Sequence, residues 1–139
     1  MAYATRDDMI ARFGVVEMIQ ISTPAGQDTE MVATEVVAQA IADASAEADS
    51  YLRMKYRTPL DVAPPEVTLR ICHMARYELS TGNGKVASDD VRARRKDAID
   101  WLRDIAGGRV KLDLAEVSDE DESMAELIER GQSHPGWRR

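Results

Sequence analysis

Cys72 and His73 are adjacent and have the residue types of a thiol nucleophile and its general base. Both fall in a segment with helical spacing, where neighbouring side chains point about 100° apart around the helix axis. The two side chains therefore cannot face each other as a catalytic pair. We predict instead that Cys72 packs as a small hydrophobic residue. It is the only cysteine, which excludes an internal disulfide and favours a cytoplasmic site of synthesis.

The sequence offers little support for a metal or phosphate site. One cysteine and two distant histidines cannot supply the ligands of a zinc site. The acidic run at 119–122 lacks the turn glycine and the ligand spacing of a calcium loop. Residues 82–85, Gly-Asn-Gly-Lys, lack the glycine spacing and the Lys-Ser/Thr ending of a phosphate-binding loop. We therefore expect no catalytic residue, no cofactor and no metal, and we do not expect an enzyme.

Polar stripes on two predicted helices are the remaining candidates, and here they are candidates for contact with a partner. One stripe recurs at three- and four-residue steps and consists of Arg70, His73 and Tyr77. We predict that it faces solvent in a monomer and contacts a neighbouring copy if the protein forms a ring. The other is the densest basic run of the chain, Arg92, Arg94, Arg95 and Lys96. That run is either a solvated face balanced by nearby aspartates or a docking surface for an acidic partner, such as the acidic tail of a neighbouring copy.

The charge balance of the chain is acidic, with a net charge of −7 and a pI near 4.8. A nucleic-acid-binding protein usually carries a basic balance, so the acidic charge counts against one. The alternative interpretation is nevertheless a small helical nucleic-acid-binding regulator that uses residues 92–96. Residues 115–139 hold seven acidic and three basic residues, a net −4, and the remaining residues hold 18 and 15, a net −3. The start of the chain lacks a signal-peptide pattern, and no apolar stretch approaches the roughly 20 residues of a membrane span.

The elements that carry these residues are predicted to be helices, in one small, mainly α bundle. The segment from about 30 to 57 lacks glycine and proline and repeats apolar residues at helical spacing, which predicts one long helix as the scaffold. Other helices are expected to begin near Thr5, Pro65 and Ser88. Residues 15–21 fit either a second short helix or an extended piece. The alternation at 109–114 predicts a short strand.

The end of the chain differs in character from the rest. We predict a helical domain over 1–114 and, over 115–139, a flexible acidic linker with a C-terminal arm. Residues 123–126 match a capping box that opens a short amphipathic turn. The candidate contacts of this arm are Leu127 and Ile128 in the turn and Trp137 as a possible anchor.

Four stretches, in this order, resemble a known family. They are Tyr3–Met9 with Phe13-Gly14; Ile41–Leu52 leading into Lys55–Leu60; Met74–Leu79; and Ala98–Gly108 followed by Val110–Leu112. Their order and spacing are similar to the small proteins of Mu-like phages and prophages that are understood as head–tail connector, or neck, proteins. The resemblance covers residues 1–114.

The resemblance implies a structural role in the virion. Such connectors form a dodecameric ring of identical subunits beneath the portal protein and extend the DNA channel. They also present a platform for a stopper or tail-terminating protein. On this reading the partners are the portal, the tail-side protein and other copies of the chain, while DNA is only passing cargo and no membrane is involved. The protein would be made in the bacterial cytoplasm and end at the head–tail junction.

Overall fold

Five helices make up the fold in a computed structural model that describes residues 2–24, 26–27, 29–82 and 84–117. In chain order they are α1 (Arg6–Phe13), α2 (Val15–Ser22), α3 (Thr34–Leu52), α4 (Pro65–Thr81) and α5 (Asp89–Ala106). No strand is found among the described residues. The prediction of a mainly helical bundle is therefore confirmed.

Local capping explains where several of these helices begin and end. The Thr5 hydroxyl accepts from the Asp8 N–H, and the Asp8 carboxylate accepts from the Thr5 N–H, which closes a capping box. Gly14 has φ +87° and separates α1 from α2, so residues 15–22 form a second helix and not an extended piece. The Ser88 hydroxyl caps α5 by accepting from the Val91 N–H. Pro65 occupies the first turn of α4, where its missing N–H costs nothing.

The three long helices pack against one another, and α1 and α2 cover part of α4. Contacts between α4 and α5 show that these two helices run antiparallel. Arg70, early in α4, lies over Trp101 late in α5, whereas Tyr77, late in α4, meets Arg95 early in α5. The interior is built from aliphatic, methionine and alanine side chains, and its largest fully buried members include Met9, Met18, Leu52, Ile71, Met74, Leu102 and Ile105.

Two buried tyrosines connect distant parts of the chain through their hydroxyl groups. Tyr3 donates to the Asp49 carboxylate and accepts from the Leu60 N–H at 2.9 Å. Burial, followed by this bond to Asp49, raises the pKa of Tyr3 to about 12. Tyr56 accepts from the Leu112 N–H at 2.7 Å. Both lie in stretches that carry the family resemblance, and both act as structural ties.

The prediction of one long helix over 30–57 is wrong at both ends. α3 has 19 residues, against 17 in α4 and 18 in α5, so no single helix dominates the bundle. At its start, Ala33 is extended and its N–H donates to the Ser22 hydroxyl at 3.1 Å, which holds the preceding chain off the helical path. After Leu52 the N–H groups of Met54 and Lys55 bond three residues back, and the chain turns to bury Tyr56.

The short strand predicted at 109–114 is also wrong. A strand needs a second strand to pair its backbone N–H and C=O groups. The surrounding helices use their own backbone groups for hydrogen bonds within each helix. The Val110 N–H bonds to the Asp104 carbonyl at 3.2 Å, and the Leu112 N–H goes to a side chain, that of Tyr56. The alternation arises because Leu112 is buried and Leu114 half-buried against the core.

The final part of the predicted organisation falls largely outside the described residues. Leu127, Ile128 and Trp137 lie there, as do the acidic run at 119–122 and the predicted flexible tail. Residues 115–117 are described and stay beside the bundle, with an isolated antiparallel bridge between Tyr56 and Glu116. The division between a domain at 1–114 and an arm at 115–139 stays a prediction.

Candidate interaction site

The stripe on α4 is not the solvent-facing surface that its spacing predicted. Its three members are half-buried, and each lies against a ring or a guanidinium group from elsewhere. Arg70 stacks over Trp101 at 5.1 Å, and His73 packs against Phe13 with ring centroids 5.7 Å apart. Tyr77 lies beneath Arg95 at 4.9 Å. The neighbouring helices α1 and α5 cover this face of α4. The spacing of residues within one helix does not show which other helices pack against it.

The basic run on α5 is divided between two surfaces. Arg92, Arg95 and Lys96 join Tyr77 in lining a groove between α4 and α5, which we call the α4–α5 groove. Arg94 is two residues from Arg92 and therefore about 200° away around the helix. Its guanidinium lies 3.7 Å from Asp90, which also lies 3.7 Å from Arg76 of α4, and its charge acts on His73. Sequence neighbours thus end in different environments.

In the α4–α5 groove each basic side chain has an acidic partner close by. Arg92 lies 3.3 Å from Asp89, and Arg95 reaches Glu47 of α3 at 3.2 Å. Lys96 donates to Asp100 at 2.8 Å. This hydrogen bond raises the pKa of Lys96 and lowers the pKa of Asp100.

Because its charges are paired, the basic run does not form a continuous basic surface. A nucleic-acid-binding regulator that uses residues 92–96 would need such a surface.

A different concentration of positive charge surrounds His73. Four arginines from three helices lie close enough to act on it, and we call them the arginine cluster: Arg12, Arg70, Arg76 and Arg94. Burial, and then the positive charges of these four residues, lower the pKa of His73 below its usual value. These four residues place positive charge beside His73 in a chain of net charge −7, and Glu17 and Asp90 pair with part of that charge.

Two members of the cluster, Arg12 and Arg76, were missed as site residues by the sequence reasoning, and Arg76 is the one with the closest contacts. Its guanidinium forms two hydrogen bonds with the Glu17 carboxylate, at 2.6 and 2.8 Å, and stacks over Phe13 at 4.4 Å. A longer contact of 3.7 Å reaches Asp90. Arg76 follows His73 by three residues, which was a usable signal that they share a face. Its partner Glu17, however, is 59 residues away, and no local pattern reveals that pairing.

Cys72 and His73 point to different surroundings, as the helical spacing predicted. The Cys72 side chain is fully buried, and burial raises the pKa of its thiol to about 11 despite the opposing effect of the Arg12 guanidinium. At neutral pH the thiol therefore stays protonated, which is not the nucleophilic form. Cys72 packs within the core, in agreement with the prediction of a small hydrophobic residue.

Two further features of the described residues bear on the kinds of site considered above. No three His, Cys, Asp or Glu side chains in these ranges come together in a group that could hold a metal ion. Likewise, none of the helices found there has the length and apolar character needed to cross a membrane. The surface features that stand out are charged and aromatic side chains where helices meet.

The fold and this site define a small, mainly helical protein whose charged clusters lie between helices. Residues 3–129 match the family described as bacteriophage Mu, Gp36, and the chain belongs to that family. The match extends beyond residue 114, where the resemblance drawn from the sequence ended. The matched range therefore includes the acidic residues 119–122.

Two relatives show the same relationship. The chain is 33% identical over 123 residues to the Mu-like prophage FluMu protein gp36 of Haemophilus influenzae. The aligned residues cover 88% of this chain and 81% of the relative. It is 31% identical over 112 residues to gene product J of Escherichia phage Mu, which covers 78% of this chain and 74% of the relative. The expectation of a Mu-like phage or prophage protein is thus confirmed.

Proposed function

We propose that this protein is a head–tail connector of a Mu-like phage or prophage. In this role, copies of the chain form a ring under the portal protein, extend the DNA channel and join the head to the tail. The protein acts structurally, without a cofactor or a catalytic step. Its place is the head–tail junction of the virion. The dodecameric count follows the connector resemblance.

The observation that carries the proposal is membership of a Mu phage family over nearly the whole chain. The order of the matching stretches adds the resemblance to connector proteins. The body formed by α1–α5 also suits the role, since a ring subunit must keep its shape while its surfaces meet different neighbours. Tyr3 and Tyr56 contribute to this by tying the ends of the described chain to the bundle.

The chemistry of the surface supports ring formation in a second way. A closed ring uses two different patches of each subunit, one for each neighbour. The arginine cluster provides a positive patch. A groove between α3 and α4 is lined by the apolar residues Val36, Ala40 and Leu79, and its charged lining residues, Glu35, Asp43 and Glu78, are all acidic. Two surfaces of opposite character suit contacts with two different neighbours.

Mixing the full chain with the purified portal protein of the same phage tests the proposal. Native mass spectrometry would be expected to show a portal assembly whose mass increases by many copies of 15.4 kDa. Electron microscopy of the same sample should show an extra ring on the axis of the portal. A portal from an unrelated phage serves as the control. If the cognate portal gained no mass across a wide range of concentrations, the connector role would be wrong.

A further inference from the structure

The arginine cluster has more positive charge than its local partners neutralise. It contains four guanidinium groups, and two carboxylates pair with it among the described residues, Glu17 and Asp90. Four positive charges against two negative charges leave an excess of two. Both ion pairs with Asp90 are long, at 3.7 Å. Within the described chain, neither Arg12 nor Arg70 forms an ion pair with the cluster's carboxylates.

The cluster also has a hydrogen-bond donor that lacks an acceptor. The Arg70 Nε atom is shielded from solvent and lacks a hydrogen-bond partner among the described residues. The cluster is therefore rich in donors and poor in acceptors, in contrast to the usual pairing of buried polar groups. Its Arg12 and Arg94 side chains are exposed and can reach an approaching group. Such a surface suits an anionic partner with several carboxylates.

A segment of this chain has the complementary chemistry. From 115 to 122 the sequence contains no lysine or arginine and five acidic residues, which are Glu116, Asp119, Glu120, Asp121 and Glu122. The family match includes this segment, because it extends to residue 129. The acidic excess of the chain is thus concentrated next to the last described residues, and the cluster is a concentration of positive charge elsewhere on the body.

The copy of the segment that meets the cluster is assigned from the proposed ring. The Val117 N–H donates to the Lys55 carbonyl at 2.8 Å, and Glu116 forms an antiparallel bridge with Tyr56. The described chain therefore ends beside the C-terminal end of α3. The arginine cluster belongs to α1, α4 and α5, and α3 supplies none of its members. We assign the segment to the cluster of a neighbouring subunit because the proposed ring is held together by contacts between copies.

We propose that the arginine cluster of one copy binds the acidic segment, residues 119–122, of a second copy. This contact links neighbouring subunits head to tail, with the segment of each copy on the body of the next. This proposal adds to the proposed function the identity of the partner that binds this surface. It rests on that function only because copies of the chain must come into contact. Charge neutralisation at the cluster is its physical basis.

A labelled peptide of residues 115–124 gives a direct test with the full chain. Fluorescence anisotropy should detect binding that weakens as salt increases. The double variant Arg12→Gln/Arg94→Gln should raise the Kd about tenfold, since two charge pairs are lost. The matched control Arg92→Gln/Arg103→Gln removes two exposed charges from the same protein and should leave the Kd within about twofold. Equal weakening by both double variants, or no binding, would overturn the proposal.

Disulfide trapping then separates docking on a second copy from docking within one chain. In a Cys72→Ala background, Arg94→Cys and Asp121→Cys are placed on separate chains, mixed and oxidised. A heterodimer should form several times faster than with Arg92→Cys, an exposed position on the same helix. If a single chain carrying both cysteines closed on itself more readily than the mixture paired, the second copy would be the wrong occupant.

A competing duplex DNA provides the last comparison. A short duplex that displaced the peptide at lower concentration would show that the cluster prefers phosphates, and the proposal would be wrong. None of these assays contains the portal. A failure here leaves the portal-mixing result unaffected, and a failure of portal binding leaves the peptide result unaffected, so the two proposals can be judged separately.

Discussion

The α4–α5 groove and the arginine cluster are both rich in basic residues, yet they differ in the charge they leave available. In the groove, Arg92, Arg95 and Lys96 each lie near a carboxylate. Around His73, four guanidinium groups are paired with two carboxylates, Glu17 and Asp90. The density of basic residues in a sequence is therefore a poor measure of the positive charge available to a partner.

The difference has a simple structural origin. On α5, Asp89 and Asp100 stand three or four residues from the bases they neutralise, so the helix itself brings them together. The cluster is assembled from three helices. Its strongest pairing, Arg76 with Glu17, consumes one guanidinium and leaves Arg12 and Arg70 without such a carboxylate in the described chain. Pairing along α5 and with Glu47 of α3 neutralises most of the charge in the groove, while the cluster keeps an excess of guanidinium groups.

Replacing Arg76 should produce the largest effect among single changes at these two surfaces. In Arg76→Ala, Glu17 loses its bidentate partner and Phe13 loses its stacking group. We expect the free energy of unfolding to fall by about 2 kcal/mol, less than for a fully buried pair because 31% of the Glu17 side chain is exposed. Urea denaturation measures the loss. Arg103→Ala, an exposed control, should leave stability unchanged; an equal loss in both would remove the distinction.

Replacing Arg95 should have a smaller effect, because its partners are more exposed. Arg95→Ala removes the ion pair with Glu47 and the stacking over Tyr77. The expected loss is about 1 kcal/mol, again from urea denaturation. A double-mutant cycle with Tyr77→Leu isolates the stacking contribution. A coupling energy of zero in that cycle would mean that this contact does not stabilise the groove.

The acid dependence of stability should distinguish the cluster from the groove. The pKa of His73 is lowered from 6.5 in the folded protein, so the unfolded chain takes up the proton first. Stability should therefore fall as the pH decreases below about 6.5 and stay unaffected by this group above it. The charges that face His73 are Arg12 of α1, Arg70 and Arg76 of α4, and Arg94 of α5.

The variant His73→Asn checks this dependence. Thermal unfolding from pH 7.5 to 5 should show a shallower loss of stability in the variant than in the parent protein. The cluster arginines stay protonated throughout, so they do not contribute to the slope. Parallel curves for the two proteins would mean that His73 is not held in the neutral form by its surroundings.

The smallest effect is expected at Lys96, in the groove. Its bond to Asp100 is an exposed pair along one helix turn, and such pairs contribute little in water. Lys96→Gln should leave the urea midpoint and the affinity for the 115–124 peptide unchanged within error. A clear loss of peptide binding would place the acidic partner in the groove and not at the cluster.

The fold was predictable where its causes are local. The starts of α1, α4 and α5 were found from Thr5, Pro65 and Ser88, because a capping side chain or a first-turn proline acts within a few residues. The long helix and the short strand were wrong for the opposite reason. Ser22 stops α3 from extending backwards, and Tyr56 takes the N–H that a strand at 109–114 would have needed, and both partners are distant in sequence.

The same division applies to the candidate site. The sequence by itself determined the residue types, the helical faces and the acidic end of the chain, because composition and helical periodicity depend only on residues close together in the sequence. Helical spacing already separates Arg94 from Arg92, but only the tertiary structure brought Arg94 close to His73 with Arg12, Arg70 and Arg76. Charges on different helices interact through distances that packing sets, and packing depends on contacts such as Glu17–Arg76 across 59 residues.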